Sequence, residues 1–222
     1  MSRRELLFGA AFLLAAVGAS ADWWGRDRSY YAEVAREERL GDVRYHFAGG
    51  DRVVPLGSVL QVDDETRSYV VDGGEPGAAM LAFFDAAELA HLRDVQRVFG
   101  AVRATSIAAA LVMALAGLGL ARARIRRAAL GAGTVVVLVG AGAAVAFEPL
   151  FLAFHQVLFP QGNFLFDPSR ENLVLVYPEP YWLGVTLRLG ATVVLAALLV
   201  AAFSLLPIRS SAVARSTQRK AT

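Results

Sequence analysis

Cysteine is absent from the 222 residues of this chain. Its absence excludes a disulfide framework, a thiol nucleophile and a metal site built on cysteine. The net charge is small, only +2, and the basic residues are not interleaved with aromatic residues that stack on bases, so the sequence does not indicate nucleic-acid binding. Glycine-rich phosphate-binding motifs and the HExxH zinc motif are also missing. The sequence therefore predicts no cofactor and no resident metal.

Hydrophobic residues, in contrast, are abundant. They make up 56% of the chain, and the mean hydropathy is +0.47, as is typical of integral membrane proteins. Four segments reach the roughly 20 apolar residues that a membrane-spanning helix needs. The predicted organisation is transmembrane helix 1 (1–24), an extracytoplasmic domain (25–84), an interfacial helix continuing into transmembrane helix 2 (85–121), transmembrane helix 3 (128–147), an extracytoplasmic loop (148–181), transmembrane helix 4 (182–206) and a cytoplasmic tail (207–222).

The first segment has two interpretations. Arg3-Arg4, an apolar core and Ala19-Ser20-Ala21 are the features of a cleaved signal peptide. The length of the apolar core and the Trp23-Trp24 pair that follows it favour a retained transmembrane helix with aromatic residues at the interface.

Charge asymmetry predicts the orientation. The N-terminus, the connector at 121–128 and the C-terminal tail together carry ten Lys or Arg residues and one acid, Glu5. The segment 25–100 carries nine Arg against fourteen Asp or Glu residues. Because cytoplasmic loops are enriched in Lys and Arg, both termini are predicted to be cytoplasmic and both larger loops extracytoplasmic.

The segment 25–84 is predicted to form a small α+β domain, mostly β. Residues 30–40 have the apolar spacing of a short amphipathic helix. Strand-like pieces follow at 42–47, 52–56, 58–62 and 66–71, separated by clusters of Gly, Asp and Glu that are typical of turns. We expect these pieces to form a small antiparallel sheet.

Two of the three histidines are candidates for catalysis. Asp85 and Glu88 match a capping box, which predicts a helix through His91 into the second span, or one that bends at Gly100. His91 and His155 both lie just outside a span on the same predicted side, and imidazole suits proton transfer near neutral pH. The nearby carboxylates are Asp94 for His91 and Asp167 or Glu148 for His155. The alternative interpretation is that His91 and His155 are two interfacial histidines with no shared role. His46 is interpreted as a solvent-facing strand residue.

Further candidates lie around the loop 148–181. The turn at 159–163 aims the amide of Asn163 inward, where an amide can donate to an oxyanion. Asp167 is either an orienting carboxylate or, before Pro168, a helix N-cap. Arg188 either snorkels to the lipid headgroups or pairs with Glu148 or a substrate headgroup. The predicted substrate-binding residues are Glu148, Phe159, Phe166, Glu179 and Arg188.

Two motifs carry a resemblance to a known family. The run His155-x3-Phe159-Pro160-x-Gly162-Asn163-Phe164-x-Phe166-Asp167-Pro168, then Leu173 and Pro178-Glu179, resembles the signature of the bacterial lipoprotein intramolecular transacylase (Lit) family. Glu88-x2-His91-Leu92-x-Asp94-Val95 resembles the motif that precedes the second span of that family. One departure is Phe164, at a position that is commonly Trp.

The resemblance implies an activity and a location. Members move the sn-2 acyl chain of a diacylglyceryl-modified lipoprotein onto the α-amine of its own N-terminal cysteine, which leaves a lyso-form lipoprotein. The implied protein is a monomer of the bacterial cytoplasmic membrane that acts on lipoproteins and membrane lipid at its extracytoplasmic face. We hypothesise that one of His91 and His155 deprotonates the amine and the other protonates the departing glyceryl oxygen, with Asp94 orienting His91 and Asn163 stabilising the oxyanion.

Two other interpretations remain open from the sequence. His91, His155 and nearby carboxylates are permissible zinc ligands, which describes a non-catalytic membrane module that holds a metal or a partner. Alternatively, the same residues serve an acyltransferase or esterase that acts on a different lipid.

Overall fold

The computed structural model describes residues 1–206, so the predicted tail at 207–222 lies outside the described residues. Helices dominate the described part of the chain. In chain order the elements are α1 (Arg3–Gly25), α2 (Arg28–Glu37), a 3-10 turn (Leu40–Asp42), β1 (Arg44–Tyr45), β2 (Arg52–Val53), α3 (Leu56–Val70), α4 (Ala78–Phe83), α5 (Ala86–Gly117), α6 (Arg122–Val145), α7 (Phe147–Leu158), α8 (Leu173–Val176) and α9 (Glu179–Phe203).

Four of these helices, α1, α5, α6 and α9, are long and apolar enough to cross a membrane, as the sequence predicts. Helix α1 packs along α5, α6 packs along α9, and α1 also contacts α6 and α9. Small residues set the spacing between them. A Cβ added at Gly18 would lie 2.6 Å from the Cβ of Ser106, so only glycine permits this approach of α1 to α5.

Helix α5 is longer than a membrane is thick. Its 32 residues span about 48 Å, against about 30 Å of hydrocarbon. The apolar residues 101–117 form the membrane-spanning segment, and residues 86–100 extend beyond it without a break at Gly100. The predicted capping box is confirmed, since the Asp85 carboxylate accepts from the Glu88 backbone N–H and the Glu88 carboxylate accepts from that of Asp85.

The segment between α1 and α5, residues 26–85, forms a polar domain that differs from the predicted one. Its helix α2 matches the predicted amphipathic helix. The predicted sheet is reduced to one antiparallel pair of two-residue strands, in which Arg44 pairs with Val53 and Tyr45 with Arg52. The predicted strands at 58–62 and 66–71 are wrong, because the first lies in α3 and the second lies in it as far as Val70.

The burial pattern of α3 explains this error. Six of its seven buried residues, all but Tyr69, follow helical spacing at i, i+3, i+4, i+7, i+8 and i+11 from the first of them: Val59, Val62, Asp63, Thr66, Arg67 and Val70. The acids at 63–65, which suggested a turn between strands, lie inside the helix. Asp63 is paired one turn later with Arg67, at 2.8 Å.

The loop predicted at 148–181 also contains helices. Helix α6 ends at Val145, the φ and ψ of −142° and 61° at Ala146 break the chain direction, and α7 begins at Phe147. Pro149 accounts for the break, because a proline lacks the N–H that would continue α6 but is tolerated in the first turn of a new helix. A turn at 168–170 precedes α8 in place of one continuous helix from Pro168.

The far end of this segment belongs to the core of the polar domain. Val176 of α8 is completely buried, and the hydroxyl of Tyr31 from α2 donates to its carbonyl at 2.9 Å. Tyr31 also packs on the rings of Tyr177 and Tyr181. The polar domain therefore holds in place the chain that leads into α9.

Candidate active site

His91 and His155 meet at the end of the helical bundle that carries the polar domain. His91 lies on the second turn of α5, and His155 lies on the last turn of α7. Their ring centroids are 6.1 Å apart, and the ring planes are inclined by 26°. A substrate group placed beside one imidazole is consequently within reach of the other.

Phenylalanines surround the two imidazoles. Phe159 is buried and contacts both rings, with its centroid 4.8 Å from that of His91 and 5.5 Å from that of His155. Four more contact one ring each: Phe166 at 5.4 Å from His91, and Phe151, Phe154 and Phe164 at 4.1 Å, 5.3 Å and 5.3 Å from His155. Such an apolar lining lowers the local dielectric and so strengthens electrostatic interactions within it.

The tautomer of His155 follows from its hydrogen bond. Nδ1 lies 2.8 Å from the backbone carbonyl oxygen of Phe151, one helical turn earlier. Because a carbonyl only accepts, Nδ1 carries the proton, and in the neutral ring Nε2 is left as an acceptor. Burial also lowers the pKa of His155 below its usual value, which favours this neutral form. The orienting partner is a carbonyl, not the predicted Asp167 or Glu148.

His91 is the more deeply buried of the pair, with 6% of its surface exposed, and its Nδ1 has no hydrogen-bond partner among the described residues. Burial, together with the charge that His155 can carry, lowers the pKa of His91 to about 4, although the Asp94 carboxylate opposes the shift. His91 is therefore a neutral imidazole at physiological pH.

Asp94 has partners other than the predicted one. Its carboxylate accepts from the side-chain amides of Asn163, at 2.8 Å, and Gln161, at 3.0 Å, and from the guanidinium of Arg97, at 2.8 Å. These hydrogen bonds, that of Asn163 first, hold the pKa of Asp94 below its ordinary value. No hydrogen bond joins Asp94 to His91 in residues 1–206. Asp94 instead fixes the turn at 159–163 to the helix that bears His91.

The turn itself is as predicted. The Gly162 N–H donates to the Phe159 carbonyl at 3.0 Å, and Gly162 has a φ of +80°, which other residues seldom adopt. This conformation brings Asn163 to Asp94. The carbonyl oxygen of the Asn163 side chain, Oδ1, is buried and lacks a hydrogen-bond partner in the described part of the chain. The side-chain nitrogen of Asn163 is therefore hydrogen-bonded to Asp94, whereas its side-chain oxygen has no partner among the described residues.

The remaining candidates make no hydrogen bond to either imidazole within residues 1–206. The exposed Asp167 carboxylate accepts from the Ser169 backbone N–H at 2.9 Å and so serves the turn that follows it. Glu148 and Glu179 are exposed in the first turns of α7 and α9. The guanidinium of Arg188 lies 3.5 Å from the centroid of the Tyr30 ring, and its predicted pairing with Glu148 is not formed.

Two buried residues that hold the site together were not predicted as site residues. The Glu88 carboxylate, besides capping α5, accepts from the backbone N–H of Leu173. The Asn172 amide donates to the carbonyls of His46 and Phe83, and its oxygen accepts from the His46 N–H. The sequence signals of Glu88 are its place in the capping box and its position one helical turn before His91 in the second motif. Glu88 and Asn172 together fix the chain around Leu173 against α5 and the polar domain.

The described residues 1–206 contain no group of three His, Asp or Glu side chains arranged to hold a metal ion. The two imidazoles are instead surrounded by aromatic rings.

The fold and this site define a multi-pass membrane protein with a paired-histidine centre at one end of its helices. Comparison with known proteins gives the family. The sequence profile of the lipoprotein intramolecular transacylase Lit matches residues 49–182, which is more than half of the chain and includes both motifs. The chain belongs to the lipoprotein intramolecular transacylase family, and the resemblance seen in the sequence is confirmed.

Solved structures agree on the fold. The membrane-integral lipoprotein intramolecular transacylase Lit from Bacillus cereus superimposes with a TM-score of 0.72 at 16% identity, over 90% of this chain and 92% of that one. A histidine-to-alanine variant of it gives 0.66 at 16% identity, over 90% of each chain, and a histidine-to-arginine variant gives 0.63 at 18%, over 90% of this chain and 87% of that one. A search of curated protein sequences found no significant match.

Proposed function

We propose that this protein transfers the sn-2 acyl chain of a diacylglyceryl lipoprotein to the α-amine of the same molecule's N-terminal cysteine, with His91 and His155 as catalytic residues. The observation that carries the proposal is the 6.1 Å separation of the two imidazole centroids inside an aromatic lining. At this spacing, an ester and an amine that approach one imidazole are also close to the other.

The proposed face of the membrane follows from the ends of the helices. Arg122, Arg124, Arg126 and Arg127 lie at the start of α6, at the opposite end of the bundle from His91, which lies near the start of α5. Since Arg-rich loops are retained in the cytoplasm, the site is assigned to the extracytoplasmic face of the bacterial cytoplasmic membrane. Diacylglyceryl esters lie at that depth, at the lipid boundary.

His155 is assigned the role of general base. The amine, with an ordinary pKa of about 8, must be unprotonated to attack the ester carbonyl. As the C–N bond forms, the free Nε2 of His155 takes the amine proton. When the C–O bond to glycerol breaks, the same proton passes to the departing glyceryl oxygen, so no proton is gained or lost overall.

His91 is assigned the role of a neutral hydrogen-bond donor. A group with a pKa of about 4 is almost never protonated at neutral pH, so it is a poor general acid or general base there. A neutral imidazole N–H in a dry site can nevertheless stabilise the negative oxygen of a tetrahedral intermediate. This assignment refines the hypothesis that each histidine transfers a proton.

Positioning supplies the rest of the rate. Ester and amine belong to one molecule, and well-oriented intramolecular partners reach effective molarities of about 10⁵–10⁸ M. The hydrogen bonds that the side-chain amides of Asn163 and Gln161 donate to Asp94 hold the turn that carries Phe159 against both imidazoles. We therefore place Asp94 and Asn163 among the positioning residues.

The test uses a bacterium that lacks lipoprotein N-acylation, with lipoprotein N-termini examined by mass spectrometry. Wild-type protein is expected to produce lyso-form lipoprotein. His155→Ala and His155→Gln should both lose activity by about 10²–10⁴-fold, because neither supplies a base. His91→Ala should lose about 10²–10³-fold, whereas His91→Asn should recover part of the loss because its amide can donate.

Lyso-form product at the wild-type level in both alanine variants would refute the catalytic roles. Equal activity of His91→Asn and His91→Ala would refute the donor role of His91 alone. Chelator treatment of the wild-type protein tests the metal-holding alternative, since loss of activity with removal of a stoichiometric metal would replace this mechanism.

A further inference from the structure

Helix α7 presents three different faces. One face is half-buried against the rest of the protein and contains Phe147, Phe151, His155 and Leu158. A second face is apolar and exposed, and its residues follow the i, i+3, i+4, i+7 spacing of a continuous helical stripe: Leu150, Ala153, Phe154 and Val157. The third, roughly opposite the stripe, carries Glu148 and Gln156 on either side of Leu152.

The apolar stripe has no cover from the described residues of the chain. Phe154 is 54% exposed and Val157 is 78% exposed. A helix with apolar residues aligned on its outward face, and polar residues roughly opposite, is the arrangement of an interfacial membrane helix. Isolated exposed apolar residues need no explanation, but an aligned stripe does.

The stripe continues a surface that already faces lipid. The neighbouring helix α6, which is long and apolar enough to cross a membrane, exposes Leu138 at 67% and Val145 at 89%. Its 24 residues span about 36 Å, which is enough to cross the hydrocarbon alone. The chain then breaks at Ala146, so α7 begins at the membrane surface and has no need to cross it.

We propose that α7 is an interfacial helix whose stripe, Leu150, Ala153, Phe154 and Val157, is immersed in the acyl chains of the leaflet next to the polar domain. Glu148 and Gln156 then face the headgroups. His155, on the half-buried face, is held at the depth of the glyceryl esters. Trp182, whose ring centroid lies 5.9 Å from that of Phe151, is a typical residue for the same depth.

The reaction gains a lateral entry route from this placement, a consequence that rests on the proposed function. An ester in the leaflet can reach His155 by moving sideways along α7, without leaving the lipid boundary. The depth of α7 itself does not depend on catalysis, so the two proposals can fail separately.

The absence of cysteine gives a direct experiment, because single cysteines need no background substitutions. Phe154→Cys and Val157→Cys place a nitroxide label on the stripe, and Glu148→Cys and Gln156→Cys place it on the polar face as matched controls. The full chain is reconstituted in vesicles of phosphatidylethanolamine and phosphatidylglycerol. The paramagnetic resonance signal then reports collisions with oxygen, which partitions into lipid, and with a water-soluble nickel chelate.

The expected result is a several-fold higher ratio of oxygen to nickel collisions at 154 and 157 than at 148 and 156. Equal nickel accessibility at all four positions would overturn the proposal, because the stripe would then face water. Dipolar broadening between labels at 154 would also overturn it, because a second copy of the chain would then cover the stripe.

A second arm links depth to activity. Val157→Glu places a charge on the stripe and should lift α7 towards water, with a loss of lyso-form product and of the oxygen preference at 154. Gln156→Glu, which adds the same charge on the polar face, should leave both unchanged. Lost lipid exposure with full activity would separate the helix depth from the reaction and overturn the lateral route.

Discussion

Two polar clusters in this protein contain buried polar atoms and differ in how the hydrogen bonds of those atoms are satisfied. In the polar domain, Arg67 donates to both oxygens of Asp63 at 2.8 Å and 2.9 Å, and to the Gly25 carbonyl at 2.8 Å. In the candidate site, His91 Nδ1 and Asn163 Oδ1 have no partner in residues 1–206. Asp64 Oδ1 also has no hydrogen bond in the described residues, but it is compensated by an ion pair with the Arg28 guanidinium at 2.7 Å.

This difference indicates that the Asp63–Arg67 cluster serves stability and that the candidate site serves activity. A buried polar group without a partner costs stability, so such groups persist mainly where a ligand or a reaction uses them. A satisfied network links elements: the Asp63–Arg67 pair joins α3 to the end of α1 and, through the Tyr181 hydroxyl at 3.3 Å, to α9. We therefore expect substitutions in the first cluster to change stability and substitutions in the second to change activity.

The largest expected effect on stability is at Arg67. Arg67→Ala leaves the Asp63 carboxylate buried and uncompensated, which should cost about 3–5 kcal/mol of unfolding free energy. Replacing both partners by apolar residues, Asp63→Leu with Arg67→Met, should cost much less. Thermal unfolding in detergent measures both. A small loss in the single variant would mean that the pair does not hold the domain together.

His91→Phe is the reciprocal test in the site. A phenyl ring fits the aromatic lining and removes the unpaired Nδ1, so the free energy of unfolding should be unchanged or rise by about 1–2 kcal/mol. Activity should nevertheless fall by at least about 10²-fold. A variant that is strongly destabilised would show that His91 is a structural residue after all.

Asp94→Ala tests the attachment of the turn to α5. Loss of the hydrogen bonds from Asn163 and Gln161 frees the turn that carries Phe159, and a misplacement of about 1 Å can cost up to about 10²-fold in rate. Arg97→Ala is the matched control, since Arg97 contacts the same carboxylate from an exposed position and such pairs contribute about 0–1 kcal/mol. Initial rates of N-acylation compare the two, and equal losses would contradict the positioning role.

The smallest expected effect concerns pH and the three histidines. Nitrogen chemical shifts of labelled imidazoles should titrate in a fixed order, with His91 near a pKa of about 4, His155 below the ordinary value and His46 above it. His46 is raised by the Pro168 carbonyl, 3.1 Å from Nε2, and by Asp51, 3.0 Å from Nδ1. Any other order would contradict the assigned environments.

The signs of the two stability contributions are opposite. His46 has a raised pKa in the folded protein, so its contribution is fully present below the unfolded value of about 6.5 and is lost as pH rises through the folded pKa. His91 has a lowered pKa, so the unfolded chain binds more protons between about pH 6.5 and 4 and stability falls as pH drops through that window.

Local sequence patterns predicted the local features of this protein. The four apolar helices, the amphipathic α2, the Asp85–Glu88 capping box and the turn at Gly162 each depend on neighbouring residues alone. The sequence of α3 predicts strands because its valines are typical of strands and its acids at 63–65 are typical of a turn. The helical spacing of Val59, Val62, Thr66 and Val70 was the overlooked signal.

Contacts between distant segments were not predictable in the same way. Nothing in the sequence indicates that Asp94 bonds to Asn163 and Gln161 rather than to the neighbouring His91. The same applies to Glu88 and Leu173. Such pairings depend on how two helices and a loop pack, which is decided by the whole core rather than by a local pattern.

The central claim is that two imidazoles act as a unit on an ester and an amine of one molecule. Purified protein in vesicles, given a diacylglyceryl lipopeptide with an isotopic label only in the sn-2 chain, tests it by mass spectrometry of the product. The account predicts a labelled N-acyl chain from wild-type protein, and similar residual rates for His91→Ala, His155→Ala and the double variant. Wild-type rates in either single variant, or an unlabelled N-acyl chain, would contradict it.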